Sequence, residues 1–233
     1  TPMNEKGDLD YNSLEKLINF QIDSGISGLV AVGTTGESAT IDFEDHLKLI
    51  EFFIKISNGR VHIIAGTGAN STEEALHLTR EAKSLGADAA LLVSPYYNKP
   101  PQEGIYRHHA KIADEVDIPQ ILYNVPSRTA SFIEPETVQR LSSHQNIMGI
   151  KDATGDMKNL SKVLKLCEEN IKSKNFFLYS GDDFSFLEFL KTGGHGTISV
   201  TSNVVPEIIS EICLLVQSDF PKAKQLDDKI KNL

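Results

Sequence analysis

Asn146-Ile147-Met148-Gly149-Ile150-Lys151-Asp152-Ala153-Thr154-Gly155 begins as an apolar run and ends in charge. Ile147 to Ile150 reads as a short buried strand, and a Gly-containing loop follows Lys151. A parallel barrel keeps its chemistry at the carboxyl ends of its strands, so such a strand would carry a primary amine to that end. An amine held there and partly desolvated can lose its proton near neutral pH and attack a carbonyl. The same segment also fits a lysine that marks the strand end and points at water.

Similar runs lie on both sides: Gly28 to Val32, Val61 to Ala65, Ala89 to Val93, Gln120 to Tyr123, Phe176 to Tyr179 and Thr197 to Val200. They recur at about 30-residue intervals, the size of one strand–helix unit. Helix-period stripes fill the gaps. Leu14, Leu17, Ile18 and Ile22 form one. Ala75, Leu78, Ala82 and Leu85 form another, opened by the capping box Ser71-Thr72-Glu73-Glu74 and stopped by Gly86. Met157, Leu160, Val163, Leu164 and Cys167 form a third, with Asp156 as its N-cap.

Regular alternation of strand and helix predicts a parallel sheet with right-handed crossovers. Polar clusters follow strand after strand, which favours a closed (β/α)8 TIM barrel over a seven-stranded open sheet, where they would gather at one switch point. A closed barrel needs one strand more than these runs supply, and the chain opens on a helix. The expectation is therefore a barrel over residues 1–205 whose first strand is missing before Thr1. Residues 206–233 read as the eighth helix and the start of a truncated C-terminal helical region. Such a portion of a longer protein is expected to fold poorly by itself.

Composition narrows the function. Hydrophobic residues at 40% and charged residues at 24% of 233 fit a globular domain with an ample core. A net charge of −9 leaves no excess of cations to displace counterions from nucleic-acid phosphates. No run of 18 apolar residues predicts a membrane span, and Thr1 to Gly7 lacks a secretory signal pattern. Cys167 and Cys213 sit far apart among apolar helical residues and read as buried thiols, in keeping with a reducing cytoplasm.

Chemistry-bearing residues follow the strands. Gly33-Thr34-Thr35-Gly36-Glu37 can offer backbone N–H groups to a carboxylate or phosphate, although simple turn use also explains it. It is not a Walker loop, and Gly66-Thr67-Gly68 lacks the third glycine of a dinucleotide fingerprint. The histidines lack metal-ligand spacing, and His108-His109 are expected on different faces of one helix, so no metal site is expected. Asp182-Asp183 fits helix capping or the orientation of other groups better than a cation site. Tyr123, at a strand end on the same face as Lys151, can relay protons or simply pack. Arg128 has the planar fork that grips a carboxylate, or it is a solvated loop arginine.

Six segments in register resemble the dihydrodipicolinate synthase family: Gly33 to Thr40, Ala65 to Asn70, Ser94 to Asn98, Tyr123 to Thr129, Gly149 to Gly155 and Ser180 to Asp183. The likeness runs in order from Thr1 to about residue 205. The Thr34-Thr35 pair and Ser127-Arg128-Thr129 favour this family over the related N-acetylneuraminate lyases.

The resemblance implies a (β/α)8 barrel with a C-terminal helical domain, assembled as a homotetramer (a dimer of dimers). It implies that Lys151 forms a Schiff base with pyruvate, and that the enamine derived from it adds to L-aspartate 4-semialdehyde. The product would be 4-hydroxy-tetrahydrodipicolinate, in the biosynthesis of diaminopimelate and lysine, without cofactor or metal. Tyr123, Thr34 and Tyr97 would form a proton relay, with Tyr97 reaching in from a neighbouring subunit. Thr35 would hold the pyruvate carboxylate and Arg128 a carboxylate of the second substrate. The carbonyls of Gly181 and Ile198 would line the lysine's surroundings. Feedback by L-lysine would use Ser38, Ala39, His46, Asn70, Glu74 and Tyr96, although Phe43 stands where some members carry histidine. A pyruvate aldolase or lyase acting on a sugar acid, and a non-catalytic ligand-binding relative, are the competing readings.

Overall fold

A computed structural model describes residues 1–232. The chain alternates helix and strand: α1 (Tyr11–Asp23), β1 (Gly28–Ala31), α2 (Phe43–Ser57), β2 (His62–Gly66), α3 (Thr72–Leu85), β3 (Ala89–Val93), α4 (Gln102–Glu115) and β4 (Gln120–Asn124). There follow α5 (Pro126–Thr129), α6 (Pro135–Leu141), β5 (Ile147–Asp152), α7 (Met157–Leu166), α8 (Glu168–Lys172), β6 (Phe177–Ser180), α9 (Phe186–Thr192), β7 (Gly196–Thr197), α10 (Pro206–Leu215) and α11 (Phe220–Ile230). Every strand pairs in parallel with the next in sequence, giving a single curled sheet ordered β1 to β7.

Local chemistry explains the helix limits. Ser71 Oγ accepts from the Glu74 N–H at the start of α3, and Gly86 ends the helix at φ 98°. Asp156 accepts from the N–H groups of Lys158 and Asn159 to open α7. The apolar stripes face inward: Leu14 and Ile18 of α1, Ala75, Leu78 and Ala82 of α3, and Leu160 and Val163 of α7 are all buried.

The sheet packs on helices along its outer side and curls around its own side chains on the other. Its concave side carries Val30, Ile64, Leu91, Val93, Ile121, Tyr123, Met148 and Tyr179, one layer drawn from six strands. Its outer side packs on the helices, with α1 and α2 over β1 and β2 and α4, α6, α7 and α9 over β4 to β6. The helix layer comes round on itself although the sheet does not. Gln21 Nε2 of α1 donates to the Ser202 carbonyl at 2.8 Å, and Ser210 Oγ of α10 donates to the Gly25 carbonyl at 3.0 Å. β1 and β7 remain the two edges of the sheet.

One expectation needs correction. The last strand is Gly196–Thr197, not Thr197 to Val200. Val200 has helical backbone angles (φ −79°, ψ −43°), and the Asp183 carboxylate takes the N–H groups of Val200 and Thr201 that a ladder would need. His108 and His109 point to different sides of α4, and both are buried, with their rings edge to face at 5.0 Å. Helix α4 is covered on two sides, with Ile112 in the cluster beneath α3 and Ile105 and Ala113 in the cluster beneath α6.

Candidate active site

Lys151 is the penultimate residue of β5, so the strand continues past it to Asp152. Strand alternation sends these neighbours to opposite sides of the sheet. The register pairs Lys151 with Tyr123 of β4 and Tyr179 of β6. Asp152 is buried on the outer side, where its Oδ2 accepts from Asn159 Nδ2 at 2.8 Å and its Oδ1 from the Thr154 N–H at 3.0 Å. Lys151 thus faces the concave side without Asp152 as its counter-ion.

The lysine Nζ lies 4.2 Å from the centroid of the Tyr123 ring, on its π face. Among the described residues Lys151 forms no salt bridge. Burial pulls its pKa from 10.5 down to about 8, while Asp183 pushes it up and Arg128 pushes it further down. The direction follows from the cost of a charged amine in a poorly solvated place. Burial raises the pKa of the Tyr123 phenol, and the neighbouring Thr34 side chain and the Arg128 charge offset part of the rise. Burial also raises Tyr179.

Gly181 explains how the lysine fits. A Cβ at this position would lie 2.7 Å from Lys151 Cε and 2.9 Å from Ala153 Cβ. The Gly181 N–H donates to the Asp152 carbonyl at 2.8 Å, and the Ile198 N–H donates to Ser180 at 2.9 Å. Backbone ladders thus hold the walls beside the amine.

Thr34 and Thr35 sit in an exposed 3-10 turn, Thr34–Gly36, directly after β1. The turn leaves the strand through Val32, a buried β-branched residue at φ 53°. That region is strained for such a side chain. A Cβ at Gly66 would lie 2.3 Å from the Val32 carbonyl, so only glycine lets β2 pass this bend. Arg128 is exposed on α5, a short helix opened by Pro126. Tyr97 stands apart: it is 90% exposed, at φ 74°, on the loop after β3. Within one chain the site assembles Lys151, Tyr123, Thr34, Arg128 and Gly181, but leaves Tyr97 facing outward.

A second group lies around the start of α2 and α3. His46 is buried and its Nε2 lies 2.7 Å from the Gly66 carbonyl. Burial lowers its pKa, against the pull of that carbonyl and of Glu74. Glu74 receives the Ser71 cap through its backbone, and its carboxylate is exposed. Ser38, Asn70 and Tyr96 are partly buried and Ala39 is exposed. Phe43 is stacked on His77 at 4.7 Å.

Sequence reasoning missed Val32 and Gly66, whose roles depend on a bend with no residue signature. The importance of Asp183 was visible only as one of two adjacent carboxylates. No group of His, Cys, Asp and Glu among the described residues has the geometry of a metal centre. No helix among them is long and apolar enough to cross a membrane.

Known proteins resemble this chain over its whole length. The family model described as the dihydrodipicolinate synthetase family matches residues 1–233. The 4-hydroxy-tetrahydrodipicolinate synthase of Alcanivorax borkumensis is 50% identical over 234 residues, covering 100% of this chain and 78% of the relative. The chloride-inhibited dihydrodipicolinate synthase of Acinetobacter baumannii, solved with pyruvate, superposes with a TM-score of 0.95 at 48% identity, over 100% of this chain and 78% of that one. The enzyme of Cyanidioschyzon merolae, solved with lysine bound, superposes at 0.91 with 35% identity, over 97% of this chain and 76% of that one. This chain belongs to the dihydrodipicolinate synthetase family.

Proposed function

We infer that the protein condenses pyruvate with L-aspartate 4-semialdehyde to give 4-hydroxy-tetrahydrodipicolinate, on the path to diaminopimelate and lysine. The observation that carries this reading is Lys151, an amine with a pKa near 8 at the carboxyl end of a central parallel strand. At pH 7 roughly a tenth of such an amine is free base, against well under a thousandth for an ordinary lysine. That fraction is the nucleophile.

The Lys151 Nζ lone pair attacks the keto carbon of pyruvate, and loss of water leaves a protonated imine. The imine cation accepts the electron pair released when the methyl carbon gives up a proton, forming an enamine. The enamine carbon bonds to the aldehyde carbon of the semialdehyde, whose oxygen takes a proton. The amino group of the new chain then displaces Lys151 from the imine carbon and closes the ring. The lysine imine is itself the electron sink, so the reading calls for no cofactor.

Tyr123, with Thr34 beside it, is the proton carrier in this scheme, and its raised pKa keeps the phenol protonated and able to donate. Thr35 and the backbone of its turn hold the pyruvate carboxylate, and Arg128 takes a carboxylate of the second substrate. The carbonyls of Gly181 and Ile198 line the amine. Tyr97 acts in the site of a neighbouring subunit, a role supported by its 90% exposure, and the working form is a homotetramer built as a dimer of dimers. Residues 1–205 form the catalytic unit, and residues 206–233 begin its helical cover. The free edges of β1 and β7, inside a helix layer that already meets across Gln21 and Ser202, support the reading of this curled sheet as an eightfold barrel short of one parallel strand. Feedback by L-lysine acts at Ser38, Ala39, His46, Asn70, Glu74 and Tyr96, where Glu74 answers the effector's ammonium. The free thiols of Cys167 and Cys213 fit a reducing cytoplasm.

Borohydride reduction in the presence of pyruvate tests the reading. A stable adduct on Lys151, found by mass mapping and absent from Lys151→Ala, is expected. Product formation with aspartate semialdehyde separates this reaction from a sugar-acid aldolase. Absence of any adduct on the intact protein removes the proposal.

A further inference from the structure

The two carboxylates after β6 have different partners. Asp182 Oδ2 accepts from the Ser185 N–H at 3.1 Å and the Ser185 hydroxyl at 2.6 Å, just ahead of α9. Asp183 reaches across to the turn after β7. Its Oδ2 accepts from the N–H groups of Val200 and Thr201, both at 2.8 Å, and from the Thr201 hydroxyl at 3.0 Å. Its Oδ1 is shielded from solvent and has no hydrogen-bond partner among the described residues.

A buried carboxylate oxygen without a donor is costly. Such a group persists where another charge answers it. The cation that Asp183 acts on is Lys151. The charges acting on that amine are the Asp183 carboxylate, which favours the ammonium, and the Arg128 guanidinium, which opposes it. Its strand neighbours contribute phenols, Tyr123 from β4 and Tyr179 from β6, both held neutral by burial. Asp183 is the carboxylate whose charge favours the Lys151 ammonium, without a direct ion pair among the described residues, and it sits two residues beyond Gly181, which packs on the lysine stem.

We propose that Asp183 is a positioning residue for the imine chemistry: it fixes the 200–201 turn to the end of β6 and sets its carboxylate to answer the cation that forms on Lys151. The inference rests on the Schiff-base reading above. It adds a reason why a neutral amine can become a cationic imine in a site with little water. A charge already in place needs no reorganisation when the reaction creates its opposite. The same charge keeps part of the resting amine protonated.

The test compares the intact protein with Asp183→Asn, Asp183→Glu and Thr201→Val. For each, pyruvate capture by borohydride is followed against pH, kcat is measured, and thermal unfolding is recorded. Loss of the carboxylate charge moves the midpoint for capture to lower pH and lowers kcat at least ~10-fold. Asp183→Glu restores much of both. Thr201→Val removes one bond from the turn but no charge, so its midpoint stays with the parent whatever its kcat. If Asp183→Asn does not fold, Asp183→Ser serves as the neutral variant with the same expected sign.

An unchanged midpoint in the neutral variants, or an equal shift in Thr201→Val, overturns the charge role. Failure of the intact protein to trap pyruvate overturns the underlying reading, and this inference with it. Trapping by the intact protein with no shift in the variants overturns this inference alone.

Discussion

Lys151 and His109 are both basic groups stripped of water, yet only one of them sits where stripping can be put to use. His109 is fully buried in α4, burial drives its pKa well below the ordinary value, and neither ring nitrogen has a partner among the described residues. Lys151 is partly buried, held near pKa 8, and opens onto the concave side of the sheet between two phenols, a guanidinium and a carboxylate. Desolvation produced both shifts. Access and neighbours distinguish them: Gly181 makes room for the lysine stem, and the strand ends supply partners for a reacting carbonyl. The histidine ring instead meets the edge of the His108 ring in a closed layer of helices. A perturbed base is thus a candidate for catalysis only when a second molecule can reach it.

The strongest way to break this contrast is to remove the lysine. Lys151→Ala should lower kcat by about 10³-fold or more and abolish the borohydride adduct with pyruvate. An active variant would make Lys151 as inert as His109. Gly181→Ala attacks the access rather than the amine. The new methyl must displace the Lys151 stem or Ala153, and kcat should drop by about 10²-fold with the fold retained. Steady-state kinetics beside a melting curve checks it; parent kinetics would show that the close fit is incidental.

Stability sharpens the same comparison. The folded lysine has its pKa near 8, and the unfolded one near 10.5. Between those values the unfolded chain binds more protons, so stability rises with pH through that window and the penalty is complete below it. Lys151→Met should therefore be more stable at pH 7 by about 1–3 kcal/mol, an advantage that fades toward pH 10.5. Denaturant titration at both pH values measures it.

The smallest effect belongs to the histidines. His108 is lowered to about 4 by burial, and His109 also lies below the ordinary value of 6.5. The unfolded chain again binds more protons, here from pH 6.5 down to about 4, so this stability is present above 6.5 and lost as the pH falls. His109→Phe should gain about 1–2 kcal/mol and flatten the acid side of the stability profile. Unfolding midpoints from pH 7 to pH 5 decide it, and an unchanged slope would mean that His109 finds a proton partner.

Much of the sheet was legible because parallel strands buried on both faces are short, β-branched runs with helix stripes between them. The Ser71 and Asp156 caps and the Gly86 stop have local causes, and local causes leave residue signatures. Lys151 and Tyr123 were legible as polar residues ending apolar runs. Val32 was not, because a positive φ at valine is imposed by packing against Gly66 rather than by its own preference. The short β7 escaped for a related reason: Val200 has strand propensity, and a carboxylate from 17 residues earlier takes its N–H. The burial of both histidines on α4 left no mark in the sequence, because a helical wheel does not reveal that two neighbouring helices cover it.

The bonds from Gln21 to Ser202 and from Gly25 to Ser210 join residues 181 and 185 positions apart. Contacts of such span form late and slowly. Thr201, one residue from the first of these stitches, is also where the Asp183 carboxylate is anchored. A nascent chain that has made β5 already owns its amine, but the electrostatic setting of that amine is completed only when the turn at Val200 and Thr201 has been drawn to Asp183. Reactivity toward keto acids should therefore mature after β7 and its turn are in place, which spares half-made chains from capturing a metabolite they cannot yet convert.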